Sequence, residues 1–403
     1  MKSVQICIAG GGLVGLVAAL AFSRQGHSVC VLEARDPALE QPAQMDARSI
    51  ALSLSTIQIF NALGVWPQLQ QQTAAIRHVH VSSAGHFGVS RLHASDLQRE
   101  AMGFVVEYHV LLRYLLEAVS RDSAIELITP ARLLDLQQTE HKVTLHYQRE
   151  NKTVRLETSL LVVADGAHSS IREMLGIAAH TDDYHQSAIV ANVKTTHAFN
   201  GYAYERFTVN GPLALLPLPD QRYALVWTNP PQRSELLMRL SDQPFIDELH
   251  RQFGYRLGYF SAVGKRVQFG LTRTRSERLA DGRCVLIGNA ANTLHPVAGQ
   301  GFNLALRDVG QLYDAIEALD LASSGLSVGL TEYESARKKD QQRTVQLGDA
   351  LVSLFSNDLP LINHLRAGAL VALDVCPLLK QEFSWQGMGF GAGYSSLMRG
   401  VPR

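Results

Sequence analysis

The chain has no surplus charge: among its 403 residues, 37 Lys and Arg stand against 37 Asp and Glu. A protein built to neutralise a run of phosphates needs a basic excess, so a nucleic-acid partner is not expected. Cysteine is scarce. Cys7, Cys30, Cys284 and Cys376 lie far apart with no CxxC pair, which argues against a disulfide framework and a cysteine zinc site and suits a reducing cytoplasm. The fifteen histidines form no HxxxH set; His78-Val79-His80 falls on an expected strand and reads as solvent-facing, so no metal is expected. No GxSxG elbow is present. No stretch supplies the roughly 18 uninterrupted apolar residues of a membrane span. The nearest, residues 4–22, is broken by Gly10, Gly11, Gly12 and Gly15, and glycine costs about 1 kcal/mol relative to alanine inside a helix. That stretch reads as folded structure rather than a targeting signal, and the protein as soluble.

What is present suits a large folded core: 46% hydrophobic and 18% charged residues, enough for two or three units at roughly 150 residues each. Val4 to Ala9 is a run of strand formers, apolar at its end as in a buried parallel strand. Gly10, Gly12 and Gly15 follow in a GxGxxG pattern. Leu13 to Gln25 then reads as a helix stopped by Gly26, and Val29 to Leu32 as a second strand ending in Glu33. In such a β-α-β unit Gly10 permits the tight turn, Gly12 lets backbone approach a pyrophosphate, and Gly15 lets helix and strand pack closely. The helix start offers free N–H groups to the anion. Glu33 can accept hydrogen bonds from a ribose and repels a 2′-phosphate. The unit is a dinucleotide cradle that leaves FAD and NAD both open.

Two further segments bear on that choice. Leu160 to Ala164 is an expected buried strand running into Asp165-Gly166-Ala167-His168-Ser169-Ser170-Ile171-Arg172. Arg283 to Ile287 is another, running into Gly288-Asn289 and on to Gly299-Gln300-Gly301-Phe302-Asn303, with a helix beyond on the stripe Phe302, Leu306, Val309, Tyr313 and Ile316. Two glycine-flanked helix starts in one chain suit one long ligand.

These three signatures resemble the group A flavin monooxygenases, the para-hydroxybenzoate hydroxylase fold. Residues 288–308 are most similar to the aromatic hydroxylases of ubiquinone biosynthesis, in particular the 2-polyprenyl-6-methoxyphenol hydroxylase branch. Asp46 to Leu52, Tyr204-Glu205-Arg206-Phe207, Gly211 to Pro217 and Val226-Trp227 support the likeness, which runs from residue 4 to about 355. The family usually has Gly-Asp where this chain has Gly288-Asn289; asparagine keeps an acceptor and loses the charge, a departure shared by the methoxyphenol branch.

The resemblance implies bound FAD, transient NAD(P)H with no nucleotide domain of its own, and hydroxylation of a polyprenyl-methoxyphenol by O2 through a flavin hydroperoxide. It also implies residue roles. Gly10, Gly12 and Gly15 hold the pyrophosphate and Glu33 the adenosine ribose. Arg48 and Arg113 lie along the phosphates or ribityl chain, Asp165 and Gly166 form the second fingerprint, and Asn289 replaces the usual acid. Pro296, Gly299 and Gly301 border the isoalloxazine ring. His295 and Arg206 are flavin- or substrate-side candidates, each matched by a plain loop or surface role. The base expected beside the substrate hydroxyl is not named by sequence. Alternatives are a sister ubiquinone step, a flavoprotein reductase or oxidase, and a flavin-bound scaffold of a biosynthetic complex. Partners implied are other ubiquinone-biosynthesis proteins and a peripheral contact with the membrane's inner face.

The expected class is α/β with an α+β second domain: a Rossmann-like FAD-binding domain in three parts (1–75, 102–185, 274–345), an antiparallel substrate sheet (76–101, 186–273) and a helical tail (346–403). Paired strands are expected over Ile76 to His93, strands at 188–193, 202–209, 213–218, 223–228 and 264–271, and a helix over 241–253 capped by Ser241. The apolar stripe Leu351, Leu354, Phe355, Leu361, Ile362, Leu365 and Leu370, broken at Pro360, is expected to pack on the core or meet a partner. Residues 384–394 read as a mobile, glycine-rich segment with exposed aromatics.

Overall fold

The computed structural model describes residues 2–35, 48–85, 89–197, 200–293, 299–317, 319–355, 374–390 and 395–399, with backbone alone at 343–355 and 377–379. A first sheet has five parallel strands side by side: Cys284–Leu286, Lys152–Val163, Lys2–Ala9, Val29–Leu32 and Ile125–Ile128. Numbered along the chain, their spatial order is 5-4-1-2-3, the doubly wound arrangement. The sequence explains why these strands are central. Ile6, Cys7, Ile8, Val31, Leu161, Val162 and Val163 are fully buried, apolar on both faces as a parallel sheet requires. The hairpin Arg132–Gln138 with Val143–Arg149 extends this sheet on the N-terminal half of the long fourth strand.

Helix Leu13–Arg24 lies between the sheet and the helices Tyr108–Arg121 and Gln300–Glu317. Neighbours on several sides explain why it is apolar nearly all round, with Leu16, Val17, Ala18, Ala19, Ala21 and Phe22 buried. Each large side chain so buried contributes about 1.5–3 kcal/mol.

The second large sheet runs Phe260–Val263, Ala179–Thr195, Arg222–Asn229, Gly211–Leu218, Tyr202–Thr208, His78–Ser83, Val89–His93, with Val267–Ser276 also on Ala179–Thr195. Its pairs are antiparallel except His78–Ser83 beside Tyr202–Thr208. One face packs Tyr204, Leu215, Tyr223 and Trp227 under the helices Pro231–Arg239 and Asp242–Phe253; the Trp227 and Phe245 rings meet edge-on at 5.7 Å. The opposite face sets Ala203, Leu218 and Ala224 against Ile76 and Val105 of the first unit.

Several expectations shift in detail. Ile76 ends a separate strand, Ala74–Ile76, of a three-stranded sheet with Gly103–Glu107 and Ser49–Ser53, so the hairpin begins at His78. The strand expected at 188–193 starts at Ala179, inside the segment assigned to the flavin domain, because its first residues pair with Thr272–Ser276. The strand expected at 264–271 is Val267–Ser276. Ser241 is the residue before helix Asp242–Phe253 and makes no side-chain cap. Within the tail, Ser384 and Met388 are buried and the half-buried Trp385 and Phe390 rings meet at 5.1 Å. Leu361, Ile362, Leu365, Leu370 and residues 391–394 lie outside the described residues, as do the side chains of Leu351, Leu354 and Phe355. Among the described residues no helix is long and apolar enough to cross a membrane.

Candidate active site

Chain order along the parallel sheet reverses at its first strand, and that reversal opens a crevice at the strands' C-terminal ends. All three signatures turn there. Gly10 follows strand Lys2–Ala9, Asp165 follows Lys152–Val163, and Gly288 follows Cys284–Leu286, on three adjacent strands. The turns are in contact. A Cβ on Gly10, whose φ is +109°, would stand 2.4 Å from the Ala164 carbonyl oxygen, and one on Gly15 would stand 1.9 Å from the Gly10 carbonyl oxygen. A Cβ on Gly288 would press on Val14 at 3.2 Å.

Gly12 differs: a Cβ there would meet no protein atom within 4 Å. It is the residue before helix Leu13–Arg24, which has neither a side-chain cap nor an acid in its first turn. The free N–H groups of that turn therefore face open space, which suits a phosphate. Beside it, Glu33 Oε2 accepts the Gly11 N–H at 2.6 Å and Oε1 accepts the Arg35 N–H at 2.8 Å. The carboxylate is thereby aimed along the crevice, with lone pairs left for ribose hydroxyls.

At the second turn, Asp165 Oδ1 is buried without a partner, while Oδ2 takes a long bond from the Ile171 N–H at 3.4 Å. Loss of water pushes its carboxyl above the ordinary range, against hydrogen bonds from Ser169 and Ile171. A buried acceptor left unsatisfied at a glycine crevice fits a ligand hydroxyl or ring N–H. Arg172, nearly buried, donates to Ala167 O at 3.3 Å and to Ala290 O at 3.1 Å, and so ties the second turn to the third. Asn289 is exposed at the crevice.

The far end of the site is clamped by Asn303. Its Oδ1 accepts the Ser53 N–H at 2.9 Å and the Thr56 hydroxyl at 2.8 Å, and its Nδ2 donates to Ala51 O at 2.9 Å and Gly299 O at 3.1 Å. A buried amide with four partners fixes strand Ser49–Ser53 against the start of helix Gln300–Glu317. Gly299 has φ +61° and a Cβ would touch Ala51; Gly301 faces open space in the first turn. Arg48 precedes that strand, with its guanidinium 4.2 Å from the Tyr108 ring centre and its carbonyl accepting the Tyr108 N–H at 3.0 Å. Replacing Asn303 by Ala strands the buried Ser53 N–H and Thr56 hydroxyl; we expect a loss of about 2–4 kcal/mol, read by urea unfolding, and no measurable change would contradict the clamp.

The two units are pinned where strand Gly103–Glu107 ends. Glu107 accepts both Arg222 Nη1 at 2.9 Å and Nη2 at 3.1 Å, and Asn192 Nδ2 at 3.1 Å. The fork holds the Arg222 guanidinium above its ordinary range. A pocket of about 360 Å³ at this seam is lined by Thr73, Arg77, Phe104 and Leu218, and none of the glycine turns lines it.

Some sequence candidates fall elsewhere. Arg113 is exposed over Tyr114 at 5.4 Å, because helix Tyr108–Arg121 turns Leu111, Leu115 and Val119 inward and Arg113 out. No contact joins it to the glycine turns among the described residues. Arg206 lies on the helix-covered face of the large sheet, its Nε donating to Gln252 O at 2.7 Å. His80 is buried rather than solvent-facing: it contacts Arg256, and desolvation followed by Arg256 lowers its pKa to about 4. His78 Nδ1 meets His93 Nδ1 at 2.8 Å. His295 and Pro296 lie outside the described residues. Among the described residues no group of three or more His, Cys, Asp and Glu is placed to hold a metal ion. Glu107, Arg222 and Asn303 escaped sequence reasoning as site-formers, the first two because nothing local marks a pair so far apart in the chain.

The open Gly12, the aimed Glu33 and the orphaned Asp165 oxygen fit an adenine dinucleotide continuing toward Gly299. The profile of the FAD binding domain family matches residues 3–347. The chain belongs to the FAD-binding monooxygenases of the para-hydroxybenzoate hydroxylase fold. Relatives of this flavoprotein family include the ubiquinone hydroxylase UbiL of Rhodospirillum rubrum, 37% identical across 100% of this chain and 94% of that protein. The 3-demethoxyubiquinol 3-hydroxylase of Escherichia coli is 30% identical across 94% and 97%. Among solved structures, the p-nitrophenol 4-monooxygenase PnpA of Pseudomonas putida superposes with a TM-score of 0.80 over 97% of this chain and 99% of its own, at 16% identity. That likeness shows the fold. The monooxygenase thus has a Rossmann-like flavin domain, a mixed β-sheet domain over it, and C-terminal helices.

Proposed function

We propose that this flavoprotein hydroxylates the aromatic ring of a polyprenylated methoxyphenol in ubiquinone biosynthesis, using O2 and NAD(P)H. The observation that carries the reading is whole-length similarity to a ubiquinone hydroxylase and a 3-demethoxyubiquinol 3-hydroxylase, spanning both the glycine turns and the sheet that covers them. Bound FAD, reduced by NAD(P)H, supplies the activation of O2. The chain's own residues bind and orient. First-turn N–H groups after Gly12 take the pyrophosphate, Glu33 the ribose, and Asp165 a hydroxyl or N–H further along. N–H groups at the Gly299–Gly301 helix start would hold the ring end of the cofactor and favour negative charge there. Ala203, Leu218 and Ala224 pack on Ile76 and Val105 and keep the seam between the two units dry.

A polyprenyl tail is insoluble, so the enzyme takes its substrate at a membrane surface or from another protein of the pathway. The similarity to the 3-demethoxyubiquinol 3-hydroxylase supports a second reading, hydroxylation at a sister ring position. Lipid-extract mass spectrometry of a strain lacking this chain separates them. A polyprenyl-methoxyphenol accumulates on the first reading and a demethoxyquinol on the second; unchanged quinone intermediates would contradict both.

A further inference from the structure

Side chains alternate along strand Tyr202–Thr208, and the alternation divides its neighbours cleanly. Tyr204 meets the Phe253 ring edge-on at 5.3 Å and Arg206 donates to Gln252 O, so both point to the helix-covered face. Ala203 packs with Ile76 and Val105, on the flavin side. Glu205 therefore stands on the flavin side. Its register partners are Val81 and Ala214, and Ala214 in turn faces Val226. A half-buried carboxyl sits in an apolar row, and among the described residues no hydrogen bond or ion pair engages it.

The same seam leads to the cofactor turn. Phe383 of the helix Pro377–Gly387 packs on the buried cluster of Leu92, Ala94 and Met102, and Leu92 lies two strands from Glu205. The end of that helix is bound to the first unit through Gln300 Nε2 to Gly387 O at 3.3 Å and the Ser55 N–H to Met388 O at 3.2 Å. Helix Pro377–Gly387 thus runs from the edge of the sheet face that carries Glu205 to the Gly299–Gly301 turn. An apolar residue would serve packing better at position 205, and a carboxyl with no protein partner there is free to meet a ligand's hydroxyl.

We infer that Glu205 is the proton acceptor for the substrate's ring hydroxyl. The inference rests on the phenol-hydroxylase reading above and adds the base that reaction needs. Desolvation raises the Glu205 carboxyl to about 7, so near neutrality both forms are populated, as general-base catalysis requires. The charged groups of the elements packed here are the Glu107–Arg222 pair, Lys194, Arg77, Glu382, and Lys380 paired with Asp96. None contributes to the shift, whose cause is desolvation alone.

A ring carbon forms a C–O bond to one oxygen atom of O2, the phenolic O–H electron pair moves into the ring, and the proton passes to Glu205. The carbon then loses its hydrogen as a proton, aromaticity returns, and Glu205 gives its proton back to the phenolic oxygen. NAD(P)H supplies two electrons, and the second oxygen atom leaves as water with one proton taken up overall.

The test uses the FAD-loaded enzyme with 2-methoxy-6-prenylphenol, comparing wild type, Glu205→Gln and Glu205→Asp. In the wild type kcat rises with pH through about 7. Glu205→Gln lowers kcat about 100-fold with little change in KM and removes that limb; Glu205→Asp recovers part of the rate and retains the limb. An infrared titration without substrate shows a carboxyl ionising near pH 7 in the wild type and not in Glu205→Gln. A glutamine variant that hydroxylates with the wild-type pH profile, or the absence of that carboxyl signal, overturns the proposal and leaves the hydroxylase reading standing. A wild type that hydroxylates no phenol overturns both.

Discussion

Replacing Gly12 by alanine is expected to give a protein that folds and melts like the parent but no longer retains FAD. Gly12 has φ −73° and ψ −179°, backbone that alanine adopts without strain, and its Cβ would meet no protein atom. Loss of a tolerable N-cap costs roughly half a kcal/mol, and reduced unfolded-state freedom returns about as much. The new methyl group occupies the approach of the pyrophosphate to the helix start, so affinity should fall by about 100-fold, ~3 kcal/mol. Gly15→Ala is the contrasting case. Its Cβ would lie 1.9 Å from the Gly10 carbonyl oxygen, so helix and strand must part and the protein should lose stability with or without cofactor. Calorimetry of both apoproteins and fluorescence titration with FAD separate the two glycines. Equal FAD affinity in Gly12→Ala and wild type would contradict this placement of the pyrophosphate.

The second large effect lies behind the crevice, in a buried set of four charges. Arg337 is fully buried; its Nε donates to Asp308 Oδ1 at 2.7 Å and its Nη1 pairs with Asp340. Asp340 also accepts Arg307 Nε at 3.1 Å, and Asp308 Oδ2 accepts the Gly288 N–H at 3.1 Å. The set links helix Leu326–Phe355 to the third glycine turn through helix Gln300–Glu317. Arg337→Met fills similar volume but leaves Asp308 without its cation, at a cost of about 3–5 kcal/mol. We expect a melting temperature lower by about 5 °C and weaker flavin binding, because the acceptor for Gly288 is no longer held. Adding Asp308→Asn should restore part of the loss, since a buried amide costs less than an unpaired carboxylate and still accepts the Gly288 N–H. A single variant within about 2 °C of wild type, or a double variant worse than the single, would show that the network does not hold the turn.

Local chemistry made part of this molecule legible. Gly10, Gly12, Gly15 and Glu33 carry their meaning in spacing, because a β-α-β turn is built from consecutive residues whose steric demands are nearly independent of the rest of the chain. The strands running into Asp165 and Gly288 were legible for the same reason. The sheet order was not, since it is set by contacts between strands as far apart as Cys284–Leu286 and Lys152–Val163. The three-stranded sheet that positions Arg48 also escaped, because Ala74–Ile76 is too short to show alternation. The phase of helix Tyr108–Arg121 decided Arg113: its apolar stripe became clear only once the packed side was known. His80 looked solvent-facing in an HxH pair until the sheet face and Arg256 covered it. Glu205 carries no role of its own in the Tyr204–Phe207 motif as sequence, and strand alternation sends it and Arg206 to opposite faces of the sheet. The four-charge network had no sequence signal at all, for its members become neighbours only when two helices pack.

The most direct test of the account is isotopic. The FAD-loaded enzyme is supplied with NAD(P)H, 2-methoxy-6-prenylphenol and ¹⁸O2, and the organic products are weighed by mass spectrometry. The account predicts a hydroxylated phenol carrying one ¹⁸O atom, formed in proportion to the NAD(P)H consumed. Consumption of NAD(P)H and O2 with no label in the phenol, at any pH and with any prenylated phenol tried, would contradict it.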